Sequence, residues 1–174
     1  GSGISGLLHI MLARASGAGR IIATDISAFR LKLAKELGAD ATIPAKDDVP
    51  KRVRECNDGR PADLVMVCTG AFPAFQQALK SVDRAGTVVC FAPTEPGVDL
   101  PVPINEFWRN SVTVMSSYAA APQDLAVALE LMRHRRVQAG RLITHRMGLA
   151  AAGEGFRLMV EGKDSLKVII EPCK

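Results

Sequence analysis

The chain opens with Gly1-Ser2-Gly3-Ile4-Ser5-Gly6, a G-x-G-x-x-G spacing that runs directly into an apolar helical stretch at Leu7. Each glycine in such a turn has its own physical use. The first allows a tight strand-to-helix reversal, the second lets backbone approach a diphosphate, and the third permits close helix-to-strand packing, while helix N-terminal amides face the anion. On this reading Gly1, Gly3, Ile4, Ser5 and Gly6 contact a dinucleotide, and a side chain at Gly3 would occupy the phosphate's place. A tight glycine turn without a ligand is the competing reading of the same residues. Asp25 ends the next apolar run, nineteen positions after Gly6. Open parallel-sheet folds put there the carboxylate that accepts hydrogen bonds from an adenosine ribose; an ordinary helix-capping Asp is the alternative. A carboxylate at that place repels a 2′-phosphate, which favours NAD over NADP. Arg30, one helical turn on, either reaches toward a ribose or phosphate or is a surface residue of an amphipathic helix.

The elements that must position these residues follow from apolar periodicity. Ile21 to Thr24, Leu64 to Cys68, Thr87 to Phe91 and Val112 to Ser116 read as buried strands of a parallel sheet, with Ala41 to Ile43 as a brief further strand. Residues 28 to 37 set Phe29, Leu33, Ala34 and Leu37 on one helical face before Gly38. A helix from near Pro73 carries Phe75, Ala78, Leu79 and Val82 and stops at Gly86. A short basic helix covers Lys51 to Cys56. Alternation of helix and strand is the signature of a doubly wound α/β sheet. After Gly97 the pattern breaks into an excursion through Ile104 to Trp108. From Pro122 an amphipathic helix carries Leu125, Ala128, Leu129 and Met132, followed by a short strand at Leu142 to Thr144. A last helix with Ala152, Phe156, Met159 and Val160 ends at Gly162, and a strand at Leu166 to Ile170 closes the chain.

Composition limits the alternatives. With 174 residues and 48% hydrophobic content, one sizeable core is expected. No apolar run approaches the roughly 20 residues of a membrane-spanning helix, and the first dozen residues lack the pattern of a secretory signal. Cys56, Cys68, Cys90 and Cys173 form no C-x-x-C pair, which speaks against a zinc knot or a disulfide scaffold and for a reducing cytoplasm. The basic runs at Lys51 to Arg54 and Arg133 to Arg136 lack interleaved aromatics, so nucleic acid is not an expected partner.

Several segments together resemble the medium-chain dehydrogenase/reductase family. They are Gly1 to Leu8, Arg20 to Asp25 and Leu31 to Ala39, then Asp63 to Gly70, Gly86 to Pro93, Leu142 to His145 and Lys167 to Ile170. Within that family the similarity is to zinc-dependent alcohol, polyol and threonine dehydrogenases. The resemblance implies a Rossmann-type dinucleotide-binding domain over residues 1–121 that lacks its first strand, and over 122–174 a connecting helix and a return segment of the family's catalytic domain. In strand order 3-2-1-4-5-6 that first strand belongs between Ile21 to Thr24 and Leu64 to Cys68. Further cofactor contacts are implied: Cys68, Thr69 and Gly70 beside the adenosine and ribose, Phe91, Ala92 and Pro93 near the nicotinamide, Ser116 and Ser117 toward the carboxamide, and Lys167 on the pyrophosphate. A catalytic zinc is implied too, held by Cys, His and Cys or Glu in an N-terminal domain outside this chain. The intact protein would transfer hydride between NAD and a small alcohol or polyol, whereas this chain alone would be inactive.

Val98 to Trp108 and the strand at Val112 resemble the segment through which the family pairs sheets across a two-fold axis, which implies a homo-oligomer; a loop covering the N-terminal domain is the other reading. His9, His134 and His145 have no spacing that makes them joint metal ligands. Cys68, with no paired His in sequence, reads as a packing or cofactor contact. Two rival functions remain: a zinc-free quinone or enoyl reductase using NADPH, which Asp25 disfavours, and a non-catalytic nucleotide-binding module.

Overall fold

A computed structural model describes residues 1–173. Helix α1 (Ile4–Ala15) follows the glycine turn and buries Gly6, Leu7, Ile10 and Met11 along one stripe. Strand β1 (Ile22–Asp25), helix α2 (Ala28–Glu36) and strand β2 (Ala41–Pro44) form a parallel pair in register from Ile22 with Ala41 to Asp25 with Pro44. Helix α3 (Val49–Cys56), capped by Asp48 accepting from the Lys51 amide, leads to strand β3 (Ala62–Val67). Helix α4 (Phe72–Ser81), strand β4 (Val82–Cys90), helix α5 (Ile104–Arg109) and strand β5 (Thr113–Ser116) complete a second parallel group in the order β3-β4-β5. Helical crossovers are what parallel neighbours require.

Among the described residues, β1 pairs only with β2 and β3 only with β4, so two parallel groups grow outward in opposite directions. The glycine turn bridges them. The Ser2 amide donates to Asp25 at the end of β1, while Gly1 lies so close to Thr69, just beyond β3, that a Cβ would stand 3.1 Å from the Thr69 Cβ. The two open strand edges are those that the strand order expected from sequence assigns to a further central strand.

Helix α6 (Pro122–Arg133) then leads to strand β6 (Ile143–Gly148), helix α7 (Ala152–Glu161) and strand β7 (Lys167–Glu171), with β6 and β7 parallel. Val137, Leu142 and Leu166 from this stretch join Leu7, Ile10, Met11, Ile21, Ala23, Ala34, Leu37 and Ala39 in one buried cluster. A second cluster packs Phe75, Ala78 and Leu79 of α4 on Val67, Val88 and Phe107.

Four expectations need correction. The α4 helix ends at Ser81, whose hydroxyl donates to the Gln77 carbonyl, and Val82 already opens β4. Gly86 thus sits inside that strand at an irregularity in the β3–β4 register, where a Cβ would meet the Asp83 carbonyl at 2.8 Å. Strand β5 is exposed at all four positions because it is the outer strand of its group. Helix α6 buries none of its residues; Leu125 and Leu129 are about three-fifths exposed. On α7 the inward residue is Gly155, against Val168, Ile170 and Met147, while Phe156 and Val160 face outward.

Asp40 ties three segments together. Its Oδ2 accepts from the Ile21 amide and from Arg14, each at 2.7 Å, and its carbonyl accepts from Lys35 Nζ. The Ile21 amide, and after it Arg14, hold the Asp40 carboxyl below its usual range. A depressed carboxylate contributes stability above its unfolded pKa, about 3.9, and loses that contribution as pH falls through the folded value. We therefore expect Asp40→Asn to lower the unfolding free energy from urea melts at pH 7, by no more than about 1 kcal/mol for so exposed a pair, and the gap from the parent to close as pH falls below about 4. Leu166→Ala, at a position 3% exposed, should cost about 2–5 kcal/mol in urea unfolding, whereas Val160→Ala on the outward side of α7 should stay within about 0.5 kcal/mol.

Candidate functional site

The site begins with three glycines that do different things. Gly6 is buried, and a Cβ there would overlap the Gly1 carbonyl oxygen, so the turn closes only with hydrogen at that position. Gly1 is close-packed on Thr69 and Cys68. Gly3, the N-cap of α1, has no atom within 4 Å of a built Cβ. The turn therefore leaves open volume at the residue that the spacing assigns to diphosphate approach. The first-turn amides of Ile4, Ser5 and Gly6 have no intrahelical acceptor, and no acidic side chain lies in that turn. Such an arrangement favours an anion.

Asp25 is 5% exposed and directed at this turn. One carboxylate oxygen accepts from the Ser2 amide at 2.6 Å and the other from the Ser27 amide at 2.8 Å. The Ser2 hydroxyl, itself buried, donates to the Thr24 carbonyl. These bonds leave acceptor capacity for a ligand: each oxygen keeps a lone pair beyond the one its amide uses. Ile26, next in the chain, is 90% exposed and offers an apolar side chain at the same strand end. Sequence reasoning passed over it because a lone apolar residue in a turn carries no periodic signal.

The ends of β3, β4 and β5 are level: Val67 pairs with Cys90, and Cys90 with Ser116. The amides of Phe91 and Ala92 both donate to the Val67 carbonyl, and the Ser117 amide donates to Cys90. Cys68, Thr69 and Gly70, Phe91, Ala92 and Pro93, and Ser116 and Ser117 thus emerge at one end of the sheet. Gly70 faces Pro93 so closely that a Cβ would stand 2.6 Å from the Pro93 carbonyl oxygen.

His9 joins this group and corrects the reading of Cys68 as lacking a His partner. Its Nδ1 lies 2.8 Å from the Ser5 carbonyl and 3.6 Å from Cys68 Sγ, and its ring meets Phe91 edge-on with centroids 4.6 Å apart. Burial pushes the Cys68 thiol up, so the pair favours thiol over thiolate, and its effect is to fix α1 against the ends of β3 and β4. The spacing from residue 9 to residue 68 gave no hint of it. Two expected contacts make no hydrogen bond to the residues of the turn. Arg30 directs Nη2 to the Gly162 carbonyl, and Lys167 is exposed at the start of β7 with no hydrogen bond or ion pair to the glycine turn. His134 and His145 serve local contacts, to Glu130 and Thr144.

Comparison with known proteins gives the family and the fold. Residues 5–134 match the family described as zinc-binding dehydrogenase. The chain is 31% identical to sorbitol dehydrogenase of Gallus gallus over 98% of its length and 48% of that protein. It is 34% identical to an alcohol dehydrogenase of Geobacillus stearothermophilus over 97% of its length and 48% of the relative. Among solved structures, 2R,3R-butanediol dehydrogenase from Bacillus subtilis superposes with a TM-score of 0.87 at 30% identity, over 99% of this chain and 49% of that one. The chain spans about half the length of the curated relatives it matches.

The glycine assignments separate by substitution. Gly3→Val should weaken binding of a nicotinamide dinucleotide at least about tenfold, near 1.4 kcal/mol, while lowering stability by only about 1 kcal/mol through the poorer N-cap. Gly6→Ala should instead lower the unfolding midpoint strongly. Calorimetric titration and urea melts of both variants read the difference.

Proposed function

The chain belongs to the zinc-binding dehydrogenase family, and from that membership we propose that it is the nicotinamide-dinucleotide-binding portion of an oxidoreductase that uses NAD. The observation that carries the reading is the buried Asp25 carboxylate held on the Ser2 amide, beside a Gly3 whose Cβ position is open. That point lies where the strand order reverses, the usual place for a dinucleotide in a doubly wound sheet.

Gly1, Gly3, Ile4, Ser5 and Gly6 would hold the diphosphate through backbone amides, with Lys167 as a cationic neighbour. Asp25 would accept from the ribose hydroxyls, and Ile26 with Cys68, Thr69 and Gly70 would line the adenosine side. Phe91, Ala92 and Pro93, followed by Ser116 and Ser117, would orient the nicotinamide and shield one of its faces from water. When bound, the nicotinamide exchanges a hydride, and zinc polarises the substrate oxygen as a Lewis acid.

The relatives named sorbitol, alcohol and butanediol dehydrogenase support an alcohol or polyol as the substrate of the intact protein. In this reading the zinc ligands lie in an N-terminal domain outside this chain, residues 1–121 bind the dinucleotide, and residues 122–174 return to the catalytic domain. The chain by itself would bind cofactor without turnover. The exposed outer strand β5, with Trp108 also exposed, supports a homo-oligomer, and the free cysteines support a cytoplasmic setting.

Titration with NADH and NADPH, followed by nicotinamide fluorescence, tests the cofactor assignment. NADH should bind at least about tenfold more tightly, a difference of about 1.4 kcal/mol. Asp25→Asn, which keeps one acceptor oxygen for either the Ser2 or the Ser27 amide, should narrow the ratio by relieving repulsion of the 2′-phosphate. A parent chain that prefers NADPH would overturn the assignment.

A further inference from the structure

Arg30 is placed between the glycine turn and a segment 132 residues away. It lies in the first turn of α2, where its amide donates to Ser27 Oγ; the Ser27 amide in turn donates to Asp25, which holds the Ser2 amide. At the far end of the side chain, Nη2 donates to the Gly162 carbonyl at 3.4 Å. Gly162 is the left-handed cap of α7, with φ +60°, and a Cβ there would stand 3.3 Å from the same nitrogen. A continuous chain of hydrogen bonds thus runs from the glycine turn through Asp25, Ser27 and Arg30 to the turn joining α7 to β7.

One link is incomplete. Arg30 Nε is buried and is the only such side-chain N or O atom among the described residues without a hydrogen-bond partner. A buried guanidinium N–H without an acceptor is unfavourable, and the bond Arg30 does make is long. A guanidinium has five N–H donors in a fixed fork, suited to bridging two groups of acceptor oxygens. One group is already present at Gly162. The other side of the bridge calls for an oxygen-rich ligand at the end of β1, where Asp25 ends the strand.

We infer that Arg30 is a positioning residue that couples occupation of the dinucleotide turn to the order of the α7–β7 turn, with ribose hydroxyl or phosphate oxygens of the ligand completing its fork. The coupling rests on the dinucleotide reading above and adds to it a direction: ligand at residues 1–6 and 25 tightens residues 162–165. Ser165 and Leu166, both buried, anchor the far side of that turn, so the intervening Lys163 and Asp164 are what Arg30 would steady.

Hydrogen exchange followed by mass spectrometry, with and without saturating NADH, tests this. In the unaltered protein NADH should slow exchange of the amides of residues 163–165 several-fold, along with those of residues 4–6. In Arg30→Gln, at NADH raised to saturation, residues 4–6 should keep their protection while residues 163–165 lose it. Arg30→Lys keeps the charge without the fork and should recover NADH affinity more fully than it recovers protection at 163–165. Protection at 4–6 with none at 163–165 in the unaltered protein overturns the coupling and leaves the cofactor reading standing. Equal protection of 163–165 in the parent and Arg30→Gln overturns the role of Arg30. No protection and no binding anywhere removes the cofactor reading, and the coupling with it.

Discussion

The carboxylate of Asp25 is the point on which the site's geometry depends. It is buried, and it accepts the Ser2 amide on one oxygen and the Ser27 amide on the other. The glycine turn and the turn that starts α2 are thereby both held at the end of β1. A neutral side chain would leave those donors with a weaker acceptor, since hydrogen bonds to a charged group are the stronger kind. The glycine turn is therefore held against β1 by an acceptor of the stronger, charged kind.

Around that anchor, much of the site is made of backbone and of missing side chains. Gly6 closes on the Gly1 carbonyl, Gly70 on the Pro93 carbonyl, and Gly1 on Thr69, while Gly3 alone leaves space. The helix α1 amides add a partial positive charge at that space. His9 completes the frame by touching Ser5, Cys68 and Phe91 from one ring. It binds α1 to both β3 and β4 across a region where no strand pairing joins β1 to β3.

The parts of this arrangement that were legible in the sequence are those set by local spacing. The glycine turn, the distance to Asp25, the helices ending before Gly38 and Gly162, and the parallel strands all follow from rules that act over a few residues. Helix faces were less legible. Leu125, Leu129 and Met132 on α6 have a clear amphipathic period, yet the described residues bury none of them. Phe156 and Val160 on α7 drew the inward assignment by their size, whereas the close approach to β7 selects Gly155 instead. Periodicity states that a face is apolar and leaves open what, if anything, covers it. The Gly86 irregularity and the His9–Cys68 contact were illegible for a different reason. Both depend on tertiary neighbours, the Asp63 carbonyl in one case and a residue 59 positions away in the other.

This division explains how a chain only 31% identical to a sorbitol dehydrogenase can keep the same frame, as it does against a butanediol dehydrogenase at a TM-score of 0.87. A site built from amides, carbonyls and absent Cβ atoms asks little of the surrounding side chains beyond volume and polarity, because every residue except proline supplies the same donor and acceptor. Core positions such as Leu7, Val88 and Leu142 can be exchanged for other apolar residues of similar volume at modest penalty. The positions that cannot be exchanged are few and are fixed by geometry: the glycines that admit no Cβ, and the one carboxylate that joins their turn to the sheet. Sequence can drift widely around such a frame before the turn at Gly3 loses either its open volume or the charge beside it.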